Sequence, residues 1–324
     1  MSLRRDSVAA ITVIVAVASS APARADCEAL RSNFDVAIAS RSAPAIIAAN
    51  RNVEDSSVCD VDIQAYTHRA IDGVIDALGS ATDKPAPQDV VKWLFGKLGL
   101  SGDWRSAEKV GRYFDARGDR RNAQVAYEMA VGLSARNPAS PPTLGDLKTL
   151  NNEAFAAKSL AGYDAQGLSP KPYPNSVRSA NGDITVYSVA IRTVGIGKMP
   201  VPVNFVYDST EMTEGGKAAA KELADVVMQQ KLERFRLIGH ADPRGGAAYN
   251  LKLSVNRAQA LKKALQEIIT SSDNKYLIDH RMPEIIADGK GATDPFDVSY
   301  LPYKPSVEEV YQLDRRVEFE LLDQ

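Results

Sequence analysis

The sequence has few of the residues that build metal and redox sites. Its 324 residues include two cysteines and three histidines, and the cysteines do not form a Cys-x-x-Cys pair. His68 and His280 have no ligand-type residues at metal spacing, so we expect both to face solvent. The composition therefore gives no support for a zinc or redox centre.

The chain also lacks an excess of charge and the glycine patterns of nucleotide sites. Its formal net charge is −2, which argues against a nucleic-acid-binding protein that contacts phosphates. No third glycine follows Gly195 and Gly197 at the spacing of a dinucleotide site, and no Gly-Lys pair has the upstream glycine of a phosphate loop. We expect no nucleotide cofactor and no nucleic-acid partner.

Beyond the N-terminus, no apolar run reaches the roughly 20 residues of a membrane span. The N-terminus has Arg4 and Arg5, an apolar stretch over 8–18 and a small-x-small sequence at 23–25. This order is typical of a secretory signal peptide and predicts cleavage after Ala25, with residues 1–25 removed. The alternative is an uncleaved inner-membrane anchor, for which the apolar stretch is short.

Export changes the interpretation of the two cysteines. Cys27 and Cys59 both lie early in the mature chain, and such a pair in an oxidising compartment favours a disulfide over a metal or redox site. Asp26 precedes Cys27, where lipoprotein signals have Gly or Ala, so we do not expect lipid modification. We predict a Cys27–Cys59 disulfide that joins the first helices.

Residues 26–164 have the apolar periodicity of helices and are predicted to form an all-α domain. Within it, residues 104–137 resemble a tetratricopeptide repeat. Counted from Trp104, small and aromatic residues occupy the positions that the repeat requires, namely Gly111, Phe114, Ala123, Tyr127 and Ala130. The resemblance implies two closely packed antiparallel helices and a protein-binding surface. The alternative is a plain helical bundle.

A linker is predicted over residues 165–196. Its segment SPKPYPNS (169–176) contains three prolines and cannot be helical. ITVYSVAI (184–191) is rich in β-branched residues and is typical of a strand. The linker therefore separates the helical domain from a domain of a different class.

Residues 197–324 alternate between strand and helix patterns. Strands are predicted at VNFVY (203–207), RFRLIGH (234–240), EIIADGKG (284–291) and RRVEFELL (315–322). One helix is predicted at 213–230, and a second follows RFRLIGH. This βαβαβ order predicts an α/β sandwich with one helical face.

The second of these helices carries an arginine near its predicted start. Asn250 or Ser254 would cap the helix by accepting bonds from free N–H groups of the first turn, which places Arg257 in the first or second turn. A cation there opposes the helix dipole, at a cost of a few tenths to about 1 kcal/mol. We interpret Arg257 as a residue positioned to bind an anion.

Four motifs in this region resemble the OmpA-like C-terminal domain, a peptidoglycan-binding module of Gram-negative envelopes. NFVYDSTEMTEGG (204–216) is similar to its first strand and the following loop. GHADPRGGAAYNLKLSVNRAQAL (239–261) is similar to its central signature. DGKGATDP (288–295) and DRRVEFEL (314–321) are similar to its closing loop and last strand.

The resemblance implies a binding site for the diaminopimelate side chain of the peptide stem. Asp242 would hold its ammonium and Arg257 its carboxylate, while Asn250 and the backbone around Ala241 would line the pocket. Ala241 stands where the family usually has threonine. Val206 stands where the family usually has an acidic residue, so one polar contact is expected to be missing or made by the backbone.

Two other interpretations of these residues remain. Asp242 and Arg257 could pair with each other and bind no ligand. His240, Asp242 and Ser254 together suggest a hydrolase, but the stretch has no nucleophile elbow, and we predict no enzymatic activity. The Tyr- and Pro-rich loop between 295 and 315 leaves open whether it shapes the pocket.

The sequence therefore predicts a non-catalytic, cofactor-free protein of the Gram-negative periplasm, associated with the cell wall or outer membrane. Its C-terminal domain would bind peptidoglycan, and its helical domain would recruit an unidentified envelope protein. One alternative is an inner-membrane-anchored, stator-like or transport-complex subunit. The other is a periplasmic scaffold that does not bind the wall.

Overall fold

The structure is a computed structural model, and it describes residues 21–56, 59, 61–79, 85–135, 140–161, 198–271, 277 and 280–322. The predicted signal segment up to residue 20 and the predicted linker with its strand lie outside these residues. In the part of the chain that is described, no helix combines the length and the apolar character needed to cross a membrane.

The N-terminal region is helical, as predicted. Its helices are α1 (Ala21–Ala39), α2 (Ala43–Glu54), α3 (Ile63–Gly79), α4 (Gln88–Ser101), α5 (Trp104–Asp115), α6 (Arg120–Ser134) and α7 (Leu144–Ala161). Their apolar faces meet in one core, in which Phe34, Trp104 and Tyr127 are fully buried. Asp103 begins α5 and Asp119 begins α6, each accepting a hydrogen bond from a backbone N–H in the first turn.

The predicted disulfide between Cys27 and Cys59 is confirmed, with Sγ atoms 2.06 Å apart. Cys27 lies on α1, and Cys59 lies between α2 and α3. The bond therefore ties the first helix to the start of the third.

His68 faces solvent only in part, with 39% of its side chain exposed. Its Nδ1 atom lies 2.6 Å from the hydroxyl of Ser106 and 3.2 Å from the carboxylate of Asp103, so the ring is half-buried between α3 and the start of α5. His280 is also only partly exposed. The expectation of solvent-facing rings is therefore met only in part, because neither local sequence indicates which helix or loop packs beside the ring.

Helices α5 and α6 form a closely packed hairpin. A Cβ atom at Gly111 would lie 2.7 Å from the ring of Tyr127, so only glycine permits this approach. Phe114, Ala123 and Ala130 are also buried in the core. The residues that resemble a tetratricopeptide repeat thus lie in the contact between the helices, while the assignment to that repeat stays a prediction.

The C-terminal region is a mixed α/β domain with a four-stranded sheet. Its elements are β1 (Lys198–Val201), α8 (Glu214–Gln230), β2 (Arg234–Gly239), α9 (Ala247–Thr270), β3 (Glu284–Gly289), a short 3₁₀ helix (Val298–Tyr300), α10 (Val307–Asp314) and β4 (Val317–Leu321). The strand order is β1-β4-β2-β3, in which β2 and β3 are parallel and β4 is antiparallel to both of its neighbours. The rings of Phe235 and Phe319 stack in its core with centroids 4.8 Å apart.

The first strand differs from the prediction at 203–207. The observed strand β1 ends at Val201, and Phe205 makes only an isolated bridge with Met212. Directly after β1, the N–H of Val203 donates to the carbonyl of Val201 at 2.8 Å and so closes a tight turn across Pro202. The chain therefore leaves the sheet and forms a loop before α8.

Helix α7 packs against both regions. The ring of Phe155 on α7 lies 5.4 Å from that of Phe296, and both belong to a small separate core with Leu160 and Leu313. Lys158 adds an ion pair of 2.9 Å to Glu222 on α8. The helical region and the α/β region are thus joined by apolar and charged contacts.

Candidate functional site

The candidate site lies at the carboxyl ends of the parallel strands β2 and β3. Where β2 ends, Gly239 packs directly against the backbone of α9, since a Cβ atom there would collide with the carbonyl oxygen of Ser254. The hydroxyl of Ser254 accepts a hydrogen bond of 2.9 Å from the N–H of Gly291, which follows β3. Both strand ends are therefore held on one face of α9, where α/β folds commonly bind ligands.

Arg257 lies in this site, but for a different reason than its predicted place in the helix. Helix α9 begins at Ala247 with Gly246 as its N-cap, so Arg257 is in the third turn and neither Asn250 nor Ser254 caps the helix. The prediction failed because the helix begins three residues before Asn250, without a capping side chain. The unusual feature of Arg257 is its burial, with 1% of the residue exposed.

The guanidinium of Arg257 is only partly satisfied. Its Nε donates to the carbonyl of Ser209 at 3.0 Å, whereas Nη1 and Nη2 have no hydrogen-bond partner among the described residues. Burial, together with the nearby charge of Arg315, lowers the pKa of Arg257 to about 10. Two buried N–H-bearing nitrogens of a desolvated cation are therefore available to an anion.

Asp242 does not pair with Arg257. One carboxylate oxygen, Oδ2, accepts hydrogen bonds from Arg315 at 2.7 Å and from Arg244 at 2.8 Å. Oδ1 accepts two more from Arg244, through its backbone N–H and its Nε. Burial alone would raise the pKa of Asp242, but these hydrogen bonds outweigh it and lower the pKa to about 2. The salt bridge considered above is absent between these two described residues.

Asn250 and Ala241 complete the wall of the site. The side-chain amide of Asn250 donates to the backbone carbonyl of Asp242 at 3.1 Å. The backbone N–H of Ala241 donates to Gly291 at 2.8 Å, and its side chain is buried. Both residues thus fix the backbone between β2 and α9.

These residues surround a cavity of about 30 Å³. Its lining consists of Tyr207, Asp208, Ala241, Asp242, Arg244, Tyr249, Asn250, Leu253, Arg257 and Arg315. Since one water-sized group needs about 10–15 Å³, the space suits a group as small as a carboxylate. Three arginines face two aspartates, so the cavity favours an anion.

Several of these residues were not predicted from the sequence. Arg315 follows α10, which lies inside the Tyr- and Pro-rich loop and begins with a capping box between Ser306 and Glu309. The Ser-x-x-Glu pattern at 306–309 was the available signal for that helix. Arg244, Tyr249 and Asp208 carried no local signal, because only the fold brings them to the cavity.

His240 and Ser254, which suggested a hydrolase, make other contacts. The imidazole of His240 is fully buried, with Nε2 3.1 Å from Glu318. Arg316 and Lys198 also pair with Glu318, at 2.8 and 2.9 Å. The hydroxyl of Ser254 donates to the carbonyl of Leu251 at 2.8 Å. Both side chains are therefore used in packing strand ends and loops together.

His240, Asp294 and Glu318 also place ligand-type atoms close enough together for a metal ion. The carboxylate of Glu318, however, is surrounded by Arg316, Lys198 and His240. Burial would raise the pKa of Glu318, but these neighbours hold it well below its usual range. Arg316 and Lys198 thus already neutralise the carboxylate that a metal ion would need as a ligand.

The fold and the site define a small α/β domain with an anion-accepting cavity beside its central strands. Residues 204–302 match the OmpA family. A search of curated proteins finds no match to the chain.

Several solved structures are similar to part of this chain. The peptidoglycan-associated lipoprotein from Burkholderia pseudomallei is 21% identical, with 36% of this chain and 86% of that chain covered and a TM-score of 0.29. The OmpA-like domain of FopA1 from Francisella tularensis is 20% identical, with 39% and 74% covered and a TM-score of 0.29. A MotB-like protein from Desulfovibrio vulgaris is 20% identical, with 39% and 73% covered and a TM-score of 0.28.

Proposed function

We propose that residues 197–324 bind peptidoglycan without cleaving it, by holding the diaminopimelate of the stem peptide. The observation that carries this proposal is the buried guanidinium of Arg257, whose two terminal nitrogens lack partners in the described chain. The ligand's carboxylate would occupy the cavity in front of them.

The physical argument concerns the free energy of a buried charge. A cation removed from water without partners is strongly unfavourable, and a hydrogen-bonded anion compensates for it. Because the Nε of Arg257 already donates to Ser209, the carboxylate would bind end-on, with one oxygen at each terminal nitrogen. Such paired charge-assisted hydrogen bonds are both strong and directional.

Asp242, Asn250 and Ala241 belong to the same proposed site. Asp242 holds Arg244 and Arg315 at the cavity wall, and Asn250 holds the backbone of Asp242. Ala241 contributes its backbone and a small side chain that leaves space. Loss of any of these contacts would change the shape of the cavity around the ligand.

A sedimentation assay with purified sacculi tests the proposal. Arg257→Ala should weaken binding by about tenfold or more, because a lost charge-assisted contact is worth at least about 1.4 kcal/mol. Arg257→Lys should also bind poorly, because an ammonium cannot supply two parallel N–H groups. Arg281 is exposed and lies outside the cavity. The control variant Arg281→Ala should therefore bind sacculi as the wild type does.

Circular dichroism first establishes that each variant is folded. If folded Arg257→Ala sediments with sacculi as the wild type does, the proposal is wrong. If the wild type itself stays in the supernatant, the protein is a periplasmic scaffold without wall binding.

Export of the protein is part of the proposal. We propose cleavage after Ala25, a mature N-terminus at Asp26 and a location in the periplasm, where the helical region would recruit another envelope protein. Mass spectrometry of the exported protein should show the loss of 25 residues. Full-length chain in the membrane fraction would instead support an inner-membrane-anchored subunit of a stator-like or transport complex.

A further inference from the structure

The loop between Phe205 and Met212 places a second acid at the cavity. Asp208 has a backbone φ of 53°, in the left-handed region that few non-glycine residues adopt. A hydrogen bond of 3.2 Å from the N–H of Ser209 to the carbonyl of Val206 closes the turn around it. Strained backbone of this kind often persists where a side chain must be aimed at a functional site.

The same turn positions Arg257. The carbonyl of Ser209, the residue after Asp208, accepts the hydrogen bond from Arg257 Nε. Asp208 and Arg257 both line the cavity. The negative charge of Asp208 favours the charged form of Arg257 and so opposes the lowering of its pKa by burial. One short segment therefore sets the carboxylate and the guanidinium relative to each other.

The carboxylate of Asp208 can accept a further hydrogen bond from a ligand. Its Oδ1 accepts a hydrogen bond of 2.6 Å from the hydroxyl of Tyr249 on α9, which fixes the side chain at the cavity. Its other oxygen accepts no hydrogen bond among the described residues, and the residue is exposed. A neutral hydroxyl leaves the negative charge of this carboxylate unpaired.

Asp242, in contrast, has both carboxylate oxygens engaged by arginines. Its two oxygens accept four hydrogen bonds from Arg244 and Arg315, so two cations already face its single charge. A ligand ammonium near Asp242 would meet these guanidinium groups at close range. Asp242, the acid suggested by the sequence, therefore holds the arginines that line the cavity. Asp208 is the acid at the cavity whose carboxylate can accept a ligand ammonium.

We propose that Asp208 binds the ammonium of the amino-acid head group whose carboxylate binds Arg257. This inference rests on the proposed function and adds the group that recognises a free amine. It also replaces the acidic residue that the OmpA-like pattern has at position 206, because Asp208 supplies a carboxylate two residues later. The site would thus select a free α-amino acid over a carboxylate whose neighbouring amine is absent.

Calorimetric titration of the full chain with two small probes tests this selection. The probes are meso-diaminopimelate and pimelate, which is the same dicarboxylic acid without amino groups. We expect the wild type to bind diaminopimelate at least about tenfold more tightly than pimelate, and Asp208→Asn to lose this preference while its pimelate affinity is unchanged. Asparagine is the matched substitution because it tolerates the left-handed backbone and can still accept the Tyr249 hydrogen bond.

Two further variants separate the possible outcomes. Glu211 is an exposed acid of the same loop that does not line the cavity, so Glu211→Gln should keep the wild-type preference. Arg257→Ala should weaken binding of both probes, because both carry the carboxylate. If Asp208→Asn keeps the preference for diaminopimelate, the inference is wrong, and loss of the preference in Asp242→Asn alone would assign the ammonium to Asp242.

Failure of the inference and failure of the proposed function give different results. A wild type that sediments with sacculi but binds diaminopimelate and pimelate equally overturns only the role of Asp208. A wild type that binds neither the sacculi nor either probe overturns both.

Discussion

The carboxylate of Asp242 accepts a hydrogen bond of 2.7 Å from Nη1 of Arg315, 73 residues further along the chain. The contact joins the segment after β2 to the segment between α10 and β4. The same carboxylate also holds Arg244. One buried acid therefore connects two arginines, which also both lie near the more exposed Glu308, and it must stay ionised to do so.

The charge of Asp242 should make its contribution to stability depend on pH. Its pKa in the folded protein is lowered from 3.8 to about 2, so the stabilisation is complete above pH 4 and is lost as the pH falls towards 2. Asp242→Asn should lower the free energy of unfolding by about 2 kcal/mol at neutral pH, and by much less at pH 2. Urea unfolding at both pH values measures this. An equal loss at the two pH values would show that shape, and not charge, explains the contact.

The sequence predicted a helical region followed by an α/β region, and the disulfide, because these depend on local periodicity, turn residues and compartment. It also identified Arg257 as unusual, but from a helix start that the structure places at Ala247. Contacts of Asp242 with Arg315, and of Ser209 with Arg257, could not be predicted, because they depend on how distant loops pack. Local patterns therefore predicted the elements and motifs better than the partners of the charged side chains.

Reduction of the Cys27–Cys59 disulfide should destabilise the helical region. The bond spans a sequence separation of 32, and by restricting the entropy of the unfolded chain a cross-link of this length stabilises the folded state by roughly 3–4 kcal/mol. Guanidinium unfolding with and without reductant measures the difference. The Cys27→Ser/Cys59→Ser double variant should match the reduced wild type and should not respond to reductant. Labelling of both thiols in the native, unreduced protein would contradict the disulfide.

Two glycine substitutions should have opposite effects on stability. At Gly239 an added Cβ would collide with the backbone of Ser254, so Gly239→Ala should be destabilising by about 1–3 kcal/mol or more and should weaken sacculus binding. Gly96 lies inside α4 with nothing near the position of a Cβ. Gly96→Ala should therefore stabilise the protein by about 0.5–1 kcal/mol, because alanine restricts the unfolded chain and favours helix. Thermal unfolding of both variants measures these changes. A Gly239→Ala variant as stable as Gly96→Ala would contradict the close packing of β2 against α9.

Glu153 on α7 should make the protein less stable as the pH rises. Its side chain is fully buried, with Oε1 2.6 Å from Nε of Arg112 and no hydrogen-bond partner for Oε2 among the described residues. Burial raises the pKa of Glu153 from 4.5 to about 8, and the attraction of Arg112 only partly opposes this. The folded state therefore favours protonated Glu153. The resulting contribution to the free energy of unfolding is complete below pH 4.5 and is lost as the pH rises through 8.

Glu153→Gln tests this because glutamine keeps the size of the side chain and cannot ionise. Relative to the wild type, the variant should be more stable at pH 9 than at pH 5. The difference should reach several kcal/mol, because each pH unit of displacement is worth about 1.4 kcal/mol. Glu267→Gln, which removes an exposed acid on α9, should change stability equally at both pH values. Urea unfolding of the three proteins provides the comparison. If Glu153→Gln follows the wild type at every pH, Arg112 keeps Glu153 ionised, and burial does not control its charge.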